Sequence, residues 1–209
     1  NLYPEVIAYS GKRWPVPARD VDKAKKLLAD AGWTKNSEGV LSKNGKPFKI
    51  ELVISEDAVA GSRKLGEVLQ YMLSEAGIVL SLRNVDHAAR HGEIPKFKYD
   101  LSLFMSNGAP YDPFNTITMM FPTEKKPGTD GKMYESKELD PLIWAAARAD
   151  EPDRVRKFQK VWDWMYENHA IAPLYHEARI WAYNNEKVKS FSIAPTEYEM
   201  PLEGLSFKH

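Results

Sequence analysis

The apolar positions of this chain change period along its length, and the changes mark out its elements. Val21, Ala24, Leu27, Leu28 and Ala31 recur at helical spacing. Asp20 or Asp22 stands where an N-cap is needed, and Gly32 where a left-handed C-terminal cap is needed. Trp33 follows as a packing plug. Asn44-Gly45 is a strong two-residue hairpin turn. Phe48, Ile50, Leu52 and Ile54 then alternate with Lys49, Glu51 and Val53, which predicts a strand. Leu65, Val68, Leu69, Met72 and Leu73 predict a second helix over 61–76, ended by Gly77. Residues 78–85 read as another strand, and 86–98 as a short helix plus loop.

The short apolar run Tyr99 to Met105 reads as a buried strand. Leu139, Leu142, Ile143 and Ala146 mark a helix capped by Ser136 or Asp140. Asp150-Glu151-Pro152-Asp153 interrupts it, and Val155, Phe158, Val161, Trp162 and Met165 form the face of the next helix. Residues 171–175 and 180–183 read as two strands, and the tail after Val188 as extended. Helix, hairpin, strand, helix, strand, helix, strand, two helices and two strands make an α/β domain with a mixed β-sheet flanked by helices.

Composition narrows the chemistry. Lys plus Arg and Asp plus Glu both number 29, so the formal net charge is zero and a polyanionic partner such as nucleic acid is not expected. The absence of cysteine removes disulfides, thiolate metal sites and a cysteine nucleophile. No run of about 18 apolar residues is present to span a bilayer. Asn1-Leu2-Tyr3-Pro4, with neither an initiator Met nor a charged leader, reads as the interior of a longer chain or a processed product.

The sequence holds no phosphate-cradling glycine motif, no G-x-S-x-G elbow and no H-E-x-x-H pair. Without a nucleophile or a tuned acid–base pair, no enzyme activity is expected. His87 and His91 lie four apart and would share a helix face able to take a metal; solvent-facing histidines are the plainer alternative. The six tryptophans are explained mostly by packing. The segment Asn107 to Thr116 is different, because it follows a strand, and clefts of α/β proteins form at strand ends. Gly108 permits unusual backbone angles, and Pro110 and Pro113 stiffen the turn around Tyr111. Asn107, Gly108 and Tyr111 are therefore expected to border a ligand cleft, while Asp112 and Asn115 suit the cap of a short helix.

Three signatures coincide in order and spacing. They are Asp22-Lys23-Ala24-Lys25-Lys26-Leu27-Leu28-Ala29-Asp30-Ala31-Gly32-Trp33 with Asn44-Gly45-Lys46-Pro47-Phe48, then Gly108-Ala109-Pro110-Tyr111-Asp112-Pro113, then Leu139-Asp140, Ala147, Asp150 and Arg154 with Ala172-Pro173-Leu174-Tyr175. Over nearly the whole chain they resemble the family 5 extracellular solute-binding proteins of ABC importers for peptides, nickel chelates and related solutes.

The resemblance implies the carboxyl-terminal lobe of a two-lobed, type II-like periplasmic-binding-protein fold. Residues 1–18 would lead in from the other lobe, 19–190 would form the ligand-binding lobe, and 191–209 would return toward the first lobe as an extended tail. The partners implied are the ligand, the amino-terminal lobe and the permease subunits. The location implied is periplasmic or extracellular, at the membrane only through the transporter.

No intrinsic cofactor is implied. Peptide-binding members carry an acid shortly before the Asp-Pro pair, and residues 107–111 contain none. The resemblance therefore favours a nickel chelate as the transported ligand, with a di- or oligopeptide as the alternative; a hydrolase using Asp112 and His91 is the alternative of another class. Some nickel-binding members have a tryptophan where Asn107 stands and a histidine near Thr123 or Glu124. His91 falls close to another pocket-lining position. Ligand contacts are thus implied at His91 and Glu124 beside Asn107, Gly108 and Tyr111, with His91 as the metal ligand.

Overall fold

The computed structural model describes residues 8–12, 14–96, 98–106, 112–121, 134–176, 180–193 and 201–208. The chain divides into two compact units, one holding Pro15–Met105 and the other built from the described residues of 8–14, 106–121 and 134–208.

The Pro15–Met105 unit opens with α1 (Val21–Asp30), whose N-cap Asp20 accepts the Lys23 N–H. Three short antiparallel strands follow: β1 (Thr34–Lys35), β2 (Leu41–Lys43) and β3 (Lys46–Pro47). Asn44 and Gly45 join the last two with φ of 53° and 73°, the positive values that a two-residue turn of this hand requires. Trp33 stacks on Phe48 with ring centroids 4.3 Å apart, so its packing role is realised.

β4 (Lys49–Ile54), α2 (Ser62–Ser74) and β5 (Val79–Asn84) form a strand–helix–strand unit, and α3 (His87–Glu93) leads through a single 3-10 turn toward β6 (Leu101–Ser102). The sheet order is β5-β4-β6, with both pairings parallel. Leu52, Ile54 and Leu80 form the buried centre, covered by Leu69 and Leu73 of α2 together with Ile50, Leu82 and Leu103. Val68 and Met72 of the predicted apolar face stay exposed.

Both helix ends were legible as glycine caps, and the hydrogen bonds say why. Gly77 N–H bonds Ser74 O, and Ile78 N–H bonds Leu73 O; Gly32 and Trp33 repeat the pattern on Ala29 and Leu28. Gly77 has φ +86°, and a Cβ there would stand 3.0 Å from Leu41 Cγ.

The second unit packs three helices: α4 (Phe114–Met120), α5 (Leu139–Ala147) and α6 (Asp153–Glu167). Its buried residues include Ile117, Phe121, Leu139, Ile143, Ala146, Phe158, Val161, Trp162 and Met165. The α5 cap is Ser136, whose Oγ accepts the Glu138 and Leu139 N–H groups. α6 ends with the same double bond pattern as α2, His169 N–H to Tyr166 O and Ala170 N–H to Met165 O, but with His169 at φ 50° in the glycine position. β7 (Val188–Ser190) and β8 (Ser206–Phe207) pair antiparallel in the tail.

Two expectations about strands need correction. The run 99–105 yields only the two-residue β6, and Leu101 is 42% exposed rather than buried. Residues 171–175 and 180–183 form no strand; Tyr175 and Ile180 are exposed, and Pro173 lacks an N–H for a ladder. Apolar content predicts burial, but a strand also needs a neighbour to take its hydrogen bonds.

Two predictions follow from the caps. Gly77→Ala should destabilise the chain by more than Gly39→Ala. Gly39 shares the left-handed backbone, at φ +79°, but has open space around it, so it reports the backbone cost alone, about 1–2 kcal/mol. His169→Gly should stabilise it by up to about 1 kcal/mol. Urea unfolding of the three variants measures both.

Candidate functional site

β4 lies between β5 and β6, and the chain leaves it for one side and then the other. With such a reversal of strand order, α/β proteins form their clefts beyond the carboxyl ends of the strands. At this edge Ser55 follows β4, and its backbone carbonyl closes a turn by accepting the Ala58 and Val59 N–H groups. Its side chain is 2% exposed, and Oγ has no hydrogen-bond partner. Glu56 accepts from Gly61 N–H, Ser62 Oγ and Arg63 N–H, which caps α2. The Arg63 N–H bond, ahead of the other contacts, holds the Glu56 carboxyl below its ordinary range.

Arg90 crosses from α3 and donates to Leu103 O at 2.7 Å. It is 8% exposed, and burial pushes its pKa down. A buried cation and a buried hydroxyl thus stand at the ends of β4 and β6, in the unit that leads into the predicted ligand turn. The sequence reading missed both. Ser55 was detectable as a polar residue directly after a fully apolar strand end. Arg90 had no such signal.

The predicted ligand residues fare differently. Asn107, Gly108, Tyr111 and Glu124 lie outside the described residues. His91 is on α3, exposed, with Nε2 3.0 Å from Nε2 of His87.

Asp112, at the end of the turn, is held firmly within the helical unit. Its Oδ1 accepts the N–H of Phe114, the first residue of α4, at 2.7 Å; the N-cap position itself is Pro113, and Asn115, also expected at the cap, lies inside the helix. Its Oδ2 accepts from Arg154 Nη2 at 2.8 Å. Arg154 also stands over the rings of Tyr9 (4.8 Å) and Phe158 (5.5 Å). Tyr9 stacks on Phe158, donates its hydroxyl to Glu151 and offers its carbonyl to Trp162 Nε1. The Glu151 bond is the main reason the Tyr9 phenol is raised above its usual pKa. Of the two residues of the hydrolase alternative, Asp112 is bonded to Arg154 and His91 to His87, each within its own unit.

Buried polar groups at the carboxyl edge of a three-stranded parallel sheet stand where α/β domains take their ligands. The family model for bacterial extracellular solute-binding proteins, family 5 (middle region), matches residues 1–128. The chain belongs to that family. It is 25% identical over 210 residues to the nickel-binding periplasmic protein of Escherichia coli, covering 97% of this chain and 39% of the relative. It is 26% identical over 190 residues to the oligopeptide-binding protein AppA of Bacillus subtilis, covering 81% and 33%. An ABC transporter substrate-binding protein from Sinorhizobium meliloti superposes with a TM-score of 0.81 at 43% identity, covering 96% of this chain and 40% of that one. The fold is that of a lobe of the periplasmic binding proteins, and the chain spans about 40% of the relatives' length.

The Asp112–Arg154 pair should be energetically coupled. In a cycle of Asp112→Asn, Arg154→Met and the double variant, the coupling energy should be about 1–2 kcal/mol by denaturant unfolding. Asp112→Ala should cost more than Asp112→Asn, because asparagine keeps the acceptor for the Phe114 N–H.

Proposed function

We propose that this chain is the ligand-binding lobe of a substrate-binding protein that delivers a nickel chelate to an ABC importer without turnover. The observation that carries the ligand choice is the commitment of Asp112. Its carboxylate is bonded to a guanidinium and to a helix N-terminus, so it is not free to anchor a peptide ammonium. Residues 107–111 supply no other acid, and a buried ammonium without a carboxylate is costly. Similarity to the nickel-binding periplasmic protein supports the same choice. Similarity to an oligopeptide-binding protein keeps peptide as the second reading.

In this reading Asn107, Gly108, Tyr111 and Glu124 contact the ligand, and His91 is the candidate metal ligand. Residues 1–18 and 191–209 connect to a second lobe, with 19–190 as the lobe proper. Tyr175, Ile180 and Tyr183, all exposed, suit cover by that second lobe. Closure of two lobes would bury the solute from both sides. The protein works outside the cytoplasmic membrane, in the periplasm or the extracellular space, and meets the membrane through the permease subunits.

Calorimetry on the full-length protein tests the ligand. Heat is expected with nickel–histidine and not with a mixed dipeptide pool; the reverse result would transfer the assignment to peptides. Tyr111→Ala should weaken capture by about tenfold or more, the loss of roughly 1.4 kcal/mol or above, while the circular dichroism spectrum stays unchanged. Unaltered affinity would remove Tyr111 from the site.

A further inference from the structure

His87 and His91 occupy successive turns of α3, and both are exposed. Their Nε2 atoms are 3.0 Å apart, and the rings meet edge to face at 70° with centroids 4.3 Å apart. Metal–imidazole bonds run about 2.0–2.1 Å. A metal bonded to both nitrogens would then subtend about 91–97° between them. That is nearer the right angle of tetragonal and octahedral coordination than the tetrahedral angle. Copper(II) and nickel(II) favour the former with nitrogen donors.

The helix beneath the pair is anchored on every side. Asp86 caps it by accepting the Ala89 N–H, Arg90 is bonded to Leu103 O, and Glu93 is bonded to Arg83 at 2.5 Å. Arg83 also bonds Glu51 of β4 at 2.7 Å. The two rings therefore project from a backbone already fixed to the sheet, and binding need not order the helix. The Arg90 cation is buried and bonded to a carbonyl instead of standing free beside the rings.

We propose that His87 and His91 form a bidentate site for a divalent transition-metal ion of tetragonal preference, copper(II) or nickel(II). Among the described residues no group of three or more His, Asp or Glu side chains is placed to hold a metal, so the pair stands by itself. Two imidazoles leave the remaining positions to water or to the amine and carboxylate of a small chelator. The inference deepens the proposed role of His91 by giving it His87 as a second donor, and its geometry is that of α3 alone.

Full-length protein freed of metal with EDTA is titrated with bare copper(II) against a glycine competitor, alongside His87→Gln and His91→Gln. Wild type should take up one equivalent that each variant loses. Outer partners of metal ligands are worth about 10–100-fold in affinity, and a direct ligand should be worth no less. The bound copper should show nitrogen couplings from two imidazoles in its paramagnetic resonance spectrum. Equal uptake by wild type and both variants, or loss in only one of them, overturns the bidentate site and leaves a plain imidazole–imidazole hydrogen bond. Copper(II) with glycine as competitor reports on the histidine pair itself, so failure to capture nickel–histidine leaves this result standing. Unchanged circular dichroism, with His87→Ala and His91→Ala as second variants, keeps folding out of the outcome.

Discussion

The parallel pairing of β4 with strands on both sides is the constraint from which the sheet unit follows. Parallel neighbours cannot be joined by a tight turn, so each needs a crossover. α2 supplies the first and α3, with its 3-10 turn, the second. β4 is flanked on both sides at Leu52 and Val53, and Leu52, Val53 and Ile54 are each at most 2% exposed. Burying an aliphatic side chain this fully contributes about 1.5–3 kcal/mol. The same topology sends both following connections out at the carboxyl edge. Ser55 and Arg90 stand at that edge because the order of strands reverses there.

The helical unit solves a separate problem, how to hold a turn that leads into α4. Asp112 has two oxygens and both are engaged, one by a backbone N–H and one by Arg154. Arg154 is held in turn by the faces of Tyr9 and Phe158. The arrangement joins three stretches distant in sequence, the lead-in segment, the turn and α6. It also gives the Asp-Pro pair a structural duty that competes with ligand binding for the same carboxylate.

Much of this was legible in the sequence, and the reasons are local. Gly32, Gly77 and Asn44-Gly45 report backbone angles that few other residues tolerate, so their elements ended where expected. The alternation around Leu52 and the helical period around Phe158 report burial directly. The segments 171–175 and 180–183 misled because strand formation is a property of pairs, and the apolar residues there lie on backbone without a ladder. The cap at Asp112 was visible from its spacing to α4. Its bond to Arg154, 42 positions away, was not. Arg90 was hidden for the same reason, since nothing in its neighbourhood marks a cation destined for burial.

The histidine pair shows how local order and long-range anchoring combine. A spacing of four residues places two rings on one face, but in a free seven-residue helix that face would exist only part of the time. Here Arg83 ties α3 to β4 through Glu93 and Glu51, and Arg90 ties it to Leu103. The bond network that completes the sheet thus also steadies the helix from which the two side chains project. With the helix already formed and the two Nε2 atoms 3.0 Å apart, chelation has less to order than it would between two separate surface histidines.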